Sequence, residues 1–113
     1  MTPKLSHAKK RLHDVLSKRA FMTNREQVMV SPSGNPLAWF LDVRSIILDG
    51  SVLKDITELY WGQLKPLLPF QVGGLETAAI ALIAGVVLTA KADGIDLNGF
   101  YVRKSRKKDG LQR

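Results

Sequence analysis

Between Phe70 and Val102 the chain places a short apolar run, a pair of glycines, a helix-length stretch of small apolar residues and a second short apolar run in strict succession. Phe70–Val72 is too short for a helix and lacks alternation, as expected of a strand buried on both faces. Gly73-Gly74 interrupts it. Residues 77–91 then carry Ala, Ile, Leu and Val with a single lysine, which predicts a helix packed in a core. Asp93 to Gly99 is a turn, and 100–103 is a second strand. Two strands separated by one helix pair in parallel through a crossover. This stretch therefore commits the chain to an α/β class.

In a parallel pair joined by a helix, ligands bind at the carboxyl ends of the strands. Here that end brings together two features. Glycines at 73 and 74 let backbone N–H groups approach a ligand, and the next helix turns its own free N–H groups and positive dipole end the same way. The second strand runs into Arg103-Lys104-Ser105-Arg106-Lys107-Lys108. Arg supplies a two-pronged fork for phosphate, and Lys a point charge. The pair suits a polyphosphate. A plain strand-to-helix turn is the alternative for Gly73-Gly74, because neither G-x-G-x-x-G nor a Gly-Lys-Ser/Thr loop is present. Glu76 and Thr77 stand where the loop meets the helix. They could cap its N–H groups or touch a ribose or base.

The rest of the composition narrows the class. The chain has 113 residues, the size of one domain at most, with 45% hydrophobic and 24% charged residues. Without cysteine there is no disulfide framework and no thiolate ligand or nucleophile. Thr77–Ala90, the longest apolar run, falls short of the ~20 residues a membrane-spanning helix needs. No signal-peptide pattern is present, so the expected location is the cytoplasm. Net charge is +7, with +5 in residues 1–19, +5 in 101–113 and −3 between them. Cations at two ends around an acidic middle point to local anion sites. Only Tyr101 adjoins the terminal cations, so no base-stacking platform accompanies them and a nucleic-acid partner is disfavoured.

The N-terminal part predicts an amphipathic helix over 4–19, with Leu5, Ala8, Leu12, Val15 and Leu16 on one face. Short strands are expected at Ala20–Thr23, Gln27–Ser31 and Leu37–Val43, with a turn at Ser31–Pro36. A further helix starts with Ser51 as its N-cap and stops at Lys65-Pro66. Ser33-Gly34 facing Asp42-Val43-Arg44 could line a pocket, or serve as turn and surface ion pair. His7 and His13 are six residues apart, roughly 240° around a helix, and are expected at the surface.

These residues resemble the orotate phosphoribosyltransferases of the type I phosphoribosyltransferase fold. The likeness runs from about Leu12 onward: an N-terminal amphipathic helix, Phe21 opening a strand cap, Ser33-Gly34, then Asp42-Val43-Arg44. It continues in Val72-Gly73-Gly74-Leu75-Glu76-Thr77-Ala78-Ala79-Ile80 and in Tyr101–Gly110, which is similar to the family's entry into a flexible catalytic loop. The fold it implies is an incomplete type I phosphoribosyltransferase domain. An N-terminal helix and small β cap would occupy 1–66, and the first βαβ of a parallel sheet 67–113, ending in the basic loop.

The function implied is transfer of a phosphoribosyl group from phosphoribosyl pyrophosphate, with Mg²⁺, to a pyrimidine base: orotate to orotidine monophosphate, in pyrimidine nucleotide biosynthesis. By the same resemblance Arg103, Lys104 and Lys107 grip pyrophosphate, Gly73, Gly74, Glu76 and Thr77 line the substrate, and Phe21, Ser33 and Gly34 help cover the base. A homodimer is implied too. The chain departs from the family at three places: no lysine in the glycine loop, Asp109 where a histidine is usual, and no acidic ribose-phosphate motif. They lead to the expectation of a truncated chain, inactive alone. The alternative is a non-catalytic binding or regulatory module on the same fold.

Overall fold

The computed structural model describes residues 2–25, 27–103 and 105. The chain folds as two compact units, Met1–Leu59 and Tyr60–Arg113.

The first unit opens with α1 (Pro3–Val15). Pro3 has no N–H to lose at the first helical position, and Thr2 caps the helix by accepting the Leu5 N–H at 3.2 Å. A π-helical turn (Leu16–Ala20) carries the chain into β1 (Phe21–Thr23). Antiparallel to it runs β2 (Trp39–Leu41), with Phe21 opposite Leu41 and Thr23 opposite Trp39. The predicted strand over 27–31 does not form; only an isolated bridge joins Val30 to Pro36. Two backbone bonds flank that bridge, Leu37 N–H to Met29 O (2.9 Å) and Ser31 N–H to Asn35 O (2.8 Å), closing the chain around the Ser31–Asn35 turn without a longer ladder. The Leu37–Val43 strand likewise shrinks to β2, because Val43–Ser45 turns into a 3₁₀ helix.

Helix α2 spans Gly50–Leu64. Its cap is Asp49, not Ser51: Asp49 Oδ1 accepts the backbone N–H groups of Ser51 (3.0 Å) and Val52 (3.4 Å). A carboxylate there also meets the positive end of the helix dipole. The helix gives way to a 3₁₀ turn at Lys65–Leu67, the place where Pro66 requires it to stop.

The second unit is the predicted β–α–β. Strand β3 (Val72–Leu75), helix α3 (Ala78–Ala92) and strand β4 (Gly99–Val102) follow one another, and β3 pairs β4 in parallel. The register sets Val72 opposite Gly99, Gly73 opposite Phe100, Gly74 opposite Tyr101 and Leu75 opposite Val102. Gly94, at φ +79°, closes α3: its N–H donates to Lys91 O (3.0 Å), and that of Ile95 to Ala90 O (2.9 Å).

The core of this unit is Trp61, Val86, Ala90 and Leu97, with Leu64, Leu68, Phe70, Val72, Leu82 and Ile95 packed around them. The polar edge of buried Trp61 is satisfied by Asp93, whose Oδ2 accepts the indole N–H at 2.9 Å and pairs with Lys65 at 2.7 Å. Those two partners, Lys65 first and Trp61 second, hold the Asp93 carboxyl below its ordinary range. Among the described residues, no helix is long and apolar enough to cross a membrane.

Candidate functional site

The parallel register fixes the geometry of the sheet's carboxyl end. Both strands finish there, so the turn after β3, the start of α3 and the residue after β4 share one edge. The turn is Glu76-Thr77, joined by a cis peptide bond, and the Glu76 N–H donates to Val102 O at 3.0 Å. Thr77 stands at the N-cap of α3, and its side chain makes no capping hydrogen bond.

Arg103 follows β4 directly and is half-buried. Its Nε is buried and has no hydrogen-bond partner among the described residues. A buried guanidinium donor left open is costly, and an anion at that edge would satisfy it. Lys104 and Lys107 lie outside the described residues.

The two glycines belong elsewhere. The sequence pattern assigns them to the loop, but they sit inside β3, paired with Phe100 and Tyr101. A Cβ on Gly73 would lie 2.3 Å from the Phe100 ring; one on Gly74 would lie 2.7 Å from Ala79 Cβ. Gly99 repeats the theme, with Ile83 Cγ2 only 2.6 Å from where its Cβ would be. Gly74 and Gly99 thus let α3 settle closely on the sheet. This close packing brings the N-terminus of α3 to the strand tips.

The first unit holds the residues expected around a base. Phe21 stacks on Trp39 with ring centroids 6.2 Å apart and planes at 23°, and both rings are largely exposed. Sequence reasoning missed Trp39, which stands opposite Thr23 at the end of β1; the available signal was an aromatic in the strand expected over Leu37–Val43. Ser33 and Gly34 form a turn closed by its own bonds: Gly34 N–H to Ser31 O (2.8 Å), Asn35 N–H to Ser31 Oγ (3.1 Å) and Ser33 Oγ with Ser31 Oγ (2.9 Å). Gly34 supplies the φ of +89° that this turn requires. Nearby, Met22, Val28, Val30, Leu37 and Phe40 line a cavity of about 460 Å³.

Among the described residues, no group of three or more His, Cys, Asp or Glu could hold a metal ion.

Curated proteins match over most of the chain. The orotate phosphoribosyltransferases of Streptomyces coelicolor and Streptomyces avermitilis are each 35% identical over 81 residues, 72% of this chain and 44% of the relative. That of Rhodopirellula baltica is 31% identical over 86 residues, again 44% of its length. This chain resembles an orotate phosphoribosyltransferase. It spans less than half the length of those relatives.

Solved structures agree on the fold. Mycobacterium tuberculosis orotate phosphoribosyltransferase, in complex with Fe(III) dicitrate, superposes with a TM-score of 0.66 at 20% identity, covering 91% of this chain and 55% of that one. A phosphoribosyltransferase from Corynebacterium diphtheriae gives 0.66 at 22%, covering 94% and 56%. The α/β arrangement is that of a type I phosphoribosyltransferase over part of its length. No protein-family model matches the chain.

Proposed function

We propose that this chain takes part in phosphoribosyl transfer from phosphoribosyl pyrophosphate to orotate, and that the carboxyl edge of β3 and β4 is its pyrophosphate end. The observation that carries this reading is the buried Nε of Arg103, without a partner among the described residues, on the same edge as the N-terminus of α3. In the reaction the bond between the anomeric carbon and the pyrophosphate oxygen breaks, and a bond from that carbon to the pyrimidine nitrogen forms. Negative charge grows on the departing diphosphate. Fixed donors aimed there stabilise that charge most where water is excluded.

Arg103 is such a donor, and the backbone N–H groups at the start of α3 supplement it. Lys104 and Lys107 add charge in the same stretch of sequence. Phe21 and Trp39, stacked and exposed, offer a flat surface for a pyrimidine ring. Gly73 and Gly74 contribute through packing that positions the turn, while Glu76 and Thr77 face the substrate from it. Mg²⁺ enters this reading together with the substrate, bound to its phosphates. A homodimer, the cytoplasm and pyrimidine nucleotide biosynthesis complete the proposal.

A second reading is a binding or regulatory module without turnover. It is favoured by Glu76 and Thr77, neither of which supplies the lysine that the family commonly has in this loop. Titration calorimetry with phosphoribosyl pyrophosphate and Mg²⁺, followed by an orotate-consumption assay, separates the two. Binding with conversion supports transfer; binding without conversion supports the module. Absence of binding overturns both.

A further inference from the structure

Three cations of the N-terminal helical segment meet three carboxylates of residues 49–58 in reverse order. Lys4 Nζ lies 3.4 Å from Glu58 Oε1, Arg11 donates through Nε and Nη2 to Asp55 at 3.0 and 2.9 Å, and Arg19 Nη1 lies 3.1 Å from Asp49 Oδ2. The cations stand seven and eight residues apart, so they return to nearly one side of the helix every two turns. They form a three-rung ladder along an antiparallel helix pair.

Apolar burial beside the ladder is Ala8 on α1 and Val52 and Ile56 on α2. Arg11, Leu12 and Val15 face Ser51, Val52 and Asp55 across an open groove of about 340 Å³. Of the apolar residues along α1, Ala8 is fully buried, whereas Leu5, Leu12 and Val15 are only partly so. Glu58 Oε1 is shared with Lys54 at 3.7 Å, and its Oε2 is buried with no hydrogen-bond partner among the described residues. The cationic arms of all three rungs are exposed, so the ionic part of this seat is sensitive to screening, because exposed charges weaken as ions accumulate around them.

We propose that α1 is an ionically latched strap, which lifts from residues 49–58 as ionic strength rises and uncovers Leu12, Val15 and Val52. Lifting is local. The second unit keeps its own core of Trp61, Val86, Ala90 and Leu97 while it happens.

Amide hydrogen exchange of the whole chain in 50 mM and 500 mM KCl reads this directly, with α3 amides as the internal standard. Amides of residues 6–15 should exchange about 3- to 10-fold faster at high salt while those of α3 stay constant. Arg11→Gln should bring the low-salt α1 rate up to the high-salt one. If Arg11→Gln also loses α3 protection, Arg19→Gln, at the exposed rung, takes its place and should raise α1 exchange in the same direction. Equal α1 protection at both salt concentrations, or α1 and α3 rates rising together in the parent chain, would overturn the proposal. Unchanged α1 rates in whichever variant retains α3 protection would overturn it as well.

Discussion

Replacing Gly74 by alanine tests whether the paired glycines are there for packing. The new Cβ would stand 2.7 Å from Ala79 Cβ, where ordinary contacts begin near 3.4 Å. Ala79 has no flexible end to swing aside, so α3 itself must retreat from the sheet. Overpacking of this kind costs about 1–3 kcal/mol, and losing a glycine from the unfolded chain returns about 0.4–1 kcal/mol. The net loss should be about 1–2 kcal/mol. At Gly73 the obstructing atoms are the far end of the Phe100 ring, which is half-exposed and free to rotate away, so Gly73→Ala should change stability by less than about 0.5 kcal/mol. Urea unfolding of the whole chain followed by circular dichroism gives both values. Adding Ala79→Gly to Gly74→Ala should recover more than the two single changes predict, since the colliding methyl is gone. Equal costs at 73 and 74, or no cost at 74, would refute the packing argument.

Trp61→Ala removes the largest buried side chain of the second unit's core and should cost about 3–5 kcal/mol, read from the same unfolding curves. The carboxyls of Asp49, Asp93 and Asp96 are each held low, chiefly by Arg19, Lys65 and Lys91 respectively. Their contribution is complete above the ordinary carboxylate range and is lost as pH falls through their lowered values. Stability should therefore be flat from about pH 7 to 5 and decline below about pH 4, and Asp93→Asn should make the decline shallower. In a Trp39→Phe background, Trp61 fluorescence should shift over that same acid range as its acceptor on Asp93 is protonated. Arg103→Gln should weaken phosphoribosyl pyrophosphate binding by at least about 10-fold, as loss of a charge-assisted bond predicts, with unfolding midpoints unchanged. Lys104→Ala should abolish any orotate turnover while leaving the fold intact.

Much of the second unit was legible because its signals are local. The small-residue run of α3, the glycine after it and the short apolar β4 each mark an element without help from distant residues. Pro66 ended α2 for a reason written in its ring. Gly73-Gly74 misled because a glycine pair looks the same in a loop as in a strand pressed by a neighbour; only the approach of Phe100 and Ala79 tells them apart. The strand expected at 27–31 is reduced to one bridge, Val30 to Pro36, beside a tight turn held by its own side chains. The Arg11–Asp55 fork spans 44 positions and the Trp61–Asp93 bond 32, so neither leaves a trace in any local window. At the candidate site, the cation at 103 and its strand end were visible in advance. The buried, open Nε was not, because burial is a property of the fold.

The most direct measurement is a pyrophosphate titration of the ¹⁵N-labelled chain. The account predicts saturable shifts in the amides of residues 76–80 and in the Arg103 side-chain Nε–H, removed together by Arg103→Gln. Shifts confined to the N-terminal cations, or none at saturating pyrophosphate, would contradict it.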